Sequence, residues 1–364
     1  MMLLKLLTAM GSSPFRPVVI SLGNCGTVGT RIEELGVPVH ALNLRGGSPS
    51  PRGLWQLRSL LHHVQPGLIQ GWMYHGNLAA SVARLFSGIR APVLWNIRAT
   101  PDDLLHGKAS TAAVIRAGAI LSRLPQRIIY NSRRGAVQHA AIGYFTPRSL
   151  VIPNGFDCEI FKPSQEARLQ LRQELGLRAD SILVGLIARF HPMKDHATFF
   201  QAAALLNARH PNVHYVLAGH RMELENAAIQ AMLQASHVTD KVHLLGERHD
   251  MPAINAALDI ASLSSSSSEG FPNVIGEAMA SGVPSVVTDV GDAAWLVGDI
   301  GRIVQPGDPA ALAAAWSDLI NIGPDARRAM GARCRARVLS EFTLNRVANK
   351  YADLYGELLI GRNG

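Results

Sequence analysis

Three consecutive segments decide the fold: Ser181-Ile-Leu-Val-Gly-Leu-Ile-Ala188, then Arg189-Phe-His-Pro-Met-Lys194, then Asp195-His-Ala-Thr-Phe-Phe-Gln-Ala-Ala-Ala-Leu-Leu-Asn207. The first is a short apolar run of strand length with β-branched bias, and the third is a helix-like stretch. A strand feeding a helix through a short loop is half of a βαβ unit. In open α/β sheets ligands bind at the carboxyl ends of strands. Arg189 and Lys194 stand at such an end, where Arg offers a bidentate fork and Lys a point charge for phosphate oxygens.

Downstream, Glu269-Gly270-Phe271-Pro272-Asn273-Val274-Ile275-Gly276-Glu277-Ala278-Met279-Ala280 begins as a turn, because Gly270 and Pro272 break regular structure. It continues as a helix start with Asn273 as the expected N-cap. Unpaired N–H groups and the dipole at a helix start favour an anion such as phosphate. Glu269 on the turn and Glu277 inside the helix bracket that position, as carboxylates suited to hydroxyls. The combination fits a sugar nucleotide.

The same strand–helix alternation extends through the chain. Strands are expected at Pro17–Leu22, Pro38–Leu42, Leu68–Trp72, Pro92–Ile97 and Arg127–Tyr130, with an amphipathic helix over Pro51–Val64. In the second half they are expected near 182–187, 213–218, 242–245, 260–263, 284–288 and 302–304. This pattern predicts α/β domains built on mostly parallel sheets. Ile152–Pro163, with its Pro, Gly and Asn, reads as a linker, and Glu341–Ile360 as an amphipathic terminal helix.

At 364 residues the chain exceeds one comfortable core, so two domains are expected. An apolar content of 48% without long polar tracts argues for a globular protein. No run of apolar residues reaches membrane-spanning length. The apolar start, Met1 to Met10, lacks the charged n-region of a signal peptide. Cys25, Cys158 and Cys334 are odd in number, far apart and without metal spacing, which suits a reducing compartment. His62-His63 has neither acidic partners nor metal spacing and reads as structural.

The net charge of +8 is unevenly spread: residues 1–152 carry +12 and residues 153–364 carry −4. Such asymmetry implies an anionic partner for the first half. No nucleic-acid motif or basic run is present, so an anionic membrane surface is the better expectation, beside the plain reading of an Arg-rich surface.

The ordered set Ile152-Pro153-Asn154-Gly155-Phe156-Asp157, Ala188-Arg189-Phe190, Lys194-Asp195, Leu245-Gly246, Glu269 to Asn273, Glu277 to Pro284 and Thr288-Asp289-Val290-Gly291 resembles the retaining glycosyltransferases of family 4, the group 1 glycosyl transferases. The resemblance covers nearly the whole chain and is strongest from Ile152 onward. It implies the GT-B architecture, two Rossmann-like parallel-sheet domains facing a central cleft. The implied domains are 1–152 on the acceptor side, 153–340 for the nucleotide sugar, and 341–364 as a helix crossing back to the first. The family's opening strand and Gly-rich loop have no counterpart here, since Met2 to Leu7 resembles the interior of the first helix.

The resemblance also implies roles. Arg189 and Lys194 hold the donor diphosphate, Glu269 contacts the transferred sugar and Glu277 the ribose, with Glu269, Arg189 and Lys194 as the catalytic group. Backbone groups of Gly246, Gly270, Phe271, Asn273 and Val274 complete the donor site. Gly246, Glu247 and Arg248 are expected beside the base, mostly through backbone, His220 near the nucleotide, and Ser268 in the site loop. His75 and Arg98 are the acceptor-side candidates, and Asn131-Ser132 another cleft-lining pair. No cofactor is expected, and no metal, since no Asp-x-Asp motif is present. The implied reaction moves a sugar with retention from a nucleoside diphosphate, UDP before GDP, to a glycan or lipid-linked acceptor in surface polysaccharide synthesis. The expected location is cytoplasmic, peripheral on the inner membrane face. Beside it stand a non-catalytic nucleotide-sugar-binding remnant, an epimerase or phosphorylase of the same fold, and a nucleic-acid binder suggested by charge alone.

Overall fold

The computed structural model describes residues 2–11, 13–44, 51–101, 109–267 and 269–360. The chain divides into two compact units: Met1–Gly155 with Leu344–Gly364, and Phe156–Thr343. Each is an α/β structure whose strands all pair in parallel.

The second unit carries a six-stranded sheet of order β12-β11-β10-β7-β8-β9. Its strands are β7 (Ile182–Ile187), β8 (Val213–Ala218), β9 (Val242–Leu244), β10 (Ile260–Leu263), β11 (Ser285–Thr288) and β12 (Arg302–Val304). β10 and β11 are buried at every position and β7 at four of six. That is the near-continuous apolar pattern of a strand covered on both faces. Phe199 and Trp316 meet across two covering helices with ring centroids 5.1 Å apart, and the Trp316 indole donates to Ser262 Oγ at 3.2 Å. The helix Asn273–Ala280 can lie on Phe156 only because residue 276 is glycine, since a Cβ there would collide with the Phe156 ring.

In the first unit β3 (Ile69–Trp72), β4 (Val93–Ile97), β5 (Arg127–Tyr130) and β6 (Ser149–Val151) form one sheet, and β1 (Val19–Ser21) with β2 (Val39–Ala41) a separate pair. The helix Met2–Ala9 puts Leu6 into the core beside Leu94 and Ile129, and Leu4 against Ile32 and Val37. The C-terminal helix Leu344–Ile360 joins this unit, burying Val347, Ala348, Tyr351 and Leu354 in the same core as Leu6. β3 turns into the helix Met73–Ser87 without a loop. Met73 takes a left-handed φ of 59°, and Gly71 leaves room for the Asn77 backbone.

Two expectations need correction. Asn273 is the first helical residue and not the N-cap: Pro272, with extended φ and ψ, takes the cap position and provides no side-chain bond. Proline suits the entry to a helix because it has no N–H to leave unpaired. β6 was not among the expected strands.

Candidate active site

The site of the second unit is built where β7 and β10 end. β7 hands over at Ala188, whose N–H donates to Ala218 O at 2.9 Å. Gly219 crosses so closely that a Cβ would collide with Ala188 O. Arg189 follows, exposed and without an ion-pair partner among the described residues. Pro192–Lys194 form one turn of 3-10 helix, with His191 Nδ1 accepting from Met193 N at 3.3 Å. Asp195 then caps the helix His196–Asn207 by accepting from Thr198 N at 3.1 Å and Thr198 Oγ1 at 2.7 Å.

This turn aims Lys194 at the loop after β10. Its Nζ makes a short ion pair with Glu269 Oε1, and the side chains are 16% and 9% exposed. The same Oε1 accepts from Ser265 Oγ at 2.7 Å. Glu269's other oxygen accepts no hydrogen bond from the described residues. The serine run is part of the scaffold: Ser264 Oγ donates to Lys194 O at 2.8 Å, Ser266 N to Met193 O at 2.9 Å, and Thr288 Oγ1 to Ser265 O at 2.7 Å. Ser268 lies outside the described residues.

The turn behind Glu269 is held by its neighbour loop. Asp292 N donates to Gly270 O at 2.9 Å, and Gly291, at φ 58°, leaves no room for a Cβ against Glu269 O. Phe271 is buried among Phe156, Trp295 and Phe342, with centroids 6.1, 5.4 and 5.5 Å away. Its ring is therefore a core anchor that fixes the turn, which leaves only its backbone for a ligand. Val274 packs half-buried on the core, Asn273 is exposed, and Glu277 is half-buried one turn along the helix. Arg189, Lys194, Glu269, Gly270 and the start of the helix thus share one edge of the sheet, with fixed cations beside a helix N-terminus.

Gly246 follows β9 with φ 61°, donates to Met222 O at 3.0 Å and accepts from Gly219 N at 2.7 Å. His220 Nδ1 and Glu247 Oε2 approach to 3.4 Å on the same rim. The Arg248 guanidinium is held by Glu174 at 2.6 Å and Asp250 at 2.7 Å, so its side chain closes an ion-pair network and its backbone remains the part for a ligand. Those bonds push the Arg248 pKa up and pull the Asp250 carboxyl down.

In the first unit His75 sits half-buried in the first turn after β3. Asn131 is buried, and Ser132 caps the helix Arg133–Ala141 by accepting from Gly135 N at 3.0 Å. Arg98, just past β4, bonds Asn96, Asn154 and Tyr351. Sequence reasoning missed Ser265, which is indistinguishable within its run, and Tyr351, which lies 253 residues from Arg98.

Two parallel α/β units, one with cations and carboxylates gathered at strand ends beside a helix start, define a protein built to bind a phosphorylated, hydroxyl-bearing ligand. Family models match both: "Glycosyl transferases group 1" over residues 181–321 and "Glycosyl transferase 4-like domain" over residues 2–155. The chain belongs to the group 1 glycosyl transferases of GT-B fold. It is similar to the putative glycosyltransferase EpsF of Bacillus subtilis, 34% identical over 38% of this chain and 35% of that protein. It is also similar to the Escherichia coli UDP-Gal:alpha-D-GlcNAc-diphosphoundecaprenol alpha-1,3-galactosyltransferase, 28% identical over 60% of this chain and 57% of that protein. The matched stretches thus span about a third to three fifths of these curated relatives. Among solved structures, Anabaena HepE in complex with UDP superposes with a TM-score of 0.82 at 22% identity, covering 97% of this chain and 96% of that chain.

Proposed function

We propose that the protein transfers a sugar from a UDP-sugar to an acceptor hydroxyl with retention at the anomeric carbon and without a metal ion. The Lys194–Glu269 pair carries this reading: a cation and a carboxylate held together, with Ser265, at the strand ends beside a helix start. Lys194 and Arg189 would take the diphosphate, stabilising the charge that develops on the leaving group. Glu269's open oxygen would accept from hydroxyls of the transferred sugar, and Glu277 from the ribose. Backbone groups of Gly246, Gly270, Phe271, Asn273 and Val274 line the remaining donor contacts.

In the proposed step the bond from the anomeric carbon to the β-phosphate oxygen breaks as the acceptor oxygen attacks from the same face. The leaving phosphate takes the acceptor proton, and its new charge falls on Lys194 and Arg189. UDP as donor nucleotide is supported by the UDP complex of the structural neighbour and the name of the E. coli relative. That relative's name also supports a lipid-linked acceptor. The first unit, with His75 and Arg98, is assigned to the acceptor. No helix among the described residues is long and apolar enough to cross a membrane, so association there would be peripheral, through the basic first half.

The test is thermal unfolding with UDP, GDP and ADP, in wild type and Glu277→Ala. Ligand near a hundred times its dissociation constant adds about 2.7 kcal/mol. A shift selective for UDP and lost in the variant supports the donor site; a cooperative transition that no nucleotide moves sinks it. The anomeric configuration of the product, read by NMR, decides retention, and an inverted product overturns it.

A further inference from the structure

Arg98 lies one residue beyond β4, and its guanidinium meets only neutral oxygens. Nη1 donates to Asn96 Oδ1 at 3.3 Å and to Tyr351 OH at 3.2 Å, and Nη2 makes a short bond to Asn154 Oδ1. Its carbon stands 5.6 Å from the centroid of the Trp72 ring. The frame is rigid: Asn96 and Tyr351 are fully buried, Asn154 is 5% exposed, and Asn96 Nδ2 donates to Tyr351 OH at 2.7 Å. No carboxylate among the described residues pairs with Arg98. Burial lowers its pKa, and only Tyr351 opposes that.

The two most buried arginines among the described residues behave differently. Arg172 and Arg327 both face Asp259. A desolvated charge is expensive unless paired, so a fixed cation without a counter-ion is a site that an anion completes. A guanidinium has five N–H donors in a planar fork, and Arg98 directs bonds to three protein oxygens, which leaves donors for a ligand. The residue is half-buried, and it stands at the carboxyl ends of β3 and β4, the ligand-binding edge of a parallel sheet.

We propose that Arg98, backed by Trp72 and held by Asn154 and Tyr351, receives an oxyanion, a carboxylate or a phosphate, carried by a sugar on the acceptor side. The substrate is then an acidic glycan. This rests on the glycosyltransferase reading, which the UDP experiment tests separately.

The experiment measures binding of glucose, glucuronate, glucose 6-phosphate and inorganic phosphate to the full chain by calorimetry, in wild type, Arg98→Gln and Arg98→Lys, with UDP present at saturation. At least one acidic sugar is expected to bind about 10-fold or more tighter than glucose. Arg98→Gln abolishes that preference, and Arg98→Lys, a point charge without the fork, retains part of it. The preferred acidic sugar names the anion as carboxylate or phosphate. UDP binding unchanged in Arg98→Gln shows that the variant is folded and the donor site intact. Equal binding of glucose and both acidic sugars, a preference that survives Arg98→Gln, or inorganic phosphate binding as tightly as glucose 6-phosphate overturns the proposal. Failure of UDP to bind wild type strikes the functional reading instead.

Discussion

Strands β7 and β10 lie side by side in the second unit, and an ion-pair centre stands at each end of that pair. At the amino end Asp259, directly before β10, meets Arg172 at 2.6 Å and Arg168 at 2.7 Å, with Arg327 at 3.8 Å. Its Oδ2 also accepts from Leu183 N at 2.9 Å, and Arg172 spends further donors on Ser181 O and Ala257 O. At the carboxyl end Glu269 has one lysine and one serine, with an oxygen that accepts no hydrogen bond from the described residues, and Arg189 follows the end of β7. The amino end is closed, every charge facing a partner in the core. The carboxyl end is open, and its unused bonds face where a ligand arrives. Burial alone does not separate structure from function here, since both carboxylates are buried; the count of unused donors and acceptors does.

Breaking the closed centre gives the largest expected effect. Asp259→Ala leaves Arg172, 1% exposed, without its counter-ion and Leu183 N without an acceptor. Removing one partner of a buried pair costs about 3–5 kcal/mol, readable as a fall in the urea midpoint. A loss under about 1 kcal/mol, the value of a surface pair, would put the amino end on the same footing as an exposed salt bridge and break the comparison.

The open centre should respond in the opposite sense. Lys194→Ala is expected to cut turnover by about 10²–10³, the effect of losing one fixed charge stabiliser. Stability should fall by less than in Asp259→Ala, because Glu269 keeps Ser265 and only one cation is removed from it. If turnover and stability fall together, Lys194 is a strut like Arg172, and the distinction between the two ends fails.

A pH titration sharpens the carboxyl end. His196, beside Lys194, is buried, its Nε2 has no partner among the described residues, and its pKa is held down to about 4 by burial and then by Lys194, with Asp195 opposing. An unfolded histidine titrates near 6.5, so between pH 6.5 and 4 the unfolded chain binds more protons than the folded one. Stability therefore falls as the pH falls through that window, by about 2 kcal/mol between neutrality and pH 5 from this group. In His196→Asn the slope over that range should flatten. An unchanged slope would assign the acid sensitivity elsewhere, for instance to His214, whose pKa is also lowered to about 4 by burial and by His243.

How much of this was legible in the sequence follows from the range of each interaction. β5, β7, β8, β10 and β12 fall where composition and breakers place them, because their signals are local runs of apolar residues. Lys194 and Glu269 are 75 positions apart, yet each sits in its own local pattern, strand end or turn, so both were readable singly. The ion pair of Arg248 was not readable because its partner Glu174 comes 74 positions earlier, in a helix with no motif. Asn273 was misread because proline and asparagine compete for adjacent cap positions, and proline's fixed φ decides. The Arg98 frame is the hardest case: Asn154 belongs to a recognisable segment, but Tyr351 is one apolar-face residue among many in the last helix. Only the folded chain brings it to β4.

Arg98 carries the comparison into the first unit with the smallest expected effect. Burial lowers its pKa as it does that of Arg172, but no carboxylate among the described residues pairs with it. Its three hydrogen bonds come from a charged donor and contribute about 1.5–3 kcal/mol each, and the uncompensated charge works against them. Removing the charge while keeping a donor should nearly cancel: Arg98→Gln is expected to leave the stability of the ligand-free protein within about 1 kcal/mol of wild type. Tyr351 OH keeps its bond from Asn96 in that variant, which limits the damage to the C-terminal helix. Matched denaturant melts of Arg98→Gln and Asp259→Ala put the two kinds of buried charge on one scale. A loss at Arg98 as large as at Asp259 would mean that the guanidinium is a structural clamp on Asn154 and Tyr351, and that an open valence in this fold does not by itself mark a ligand.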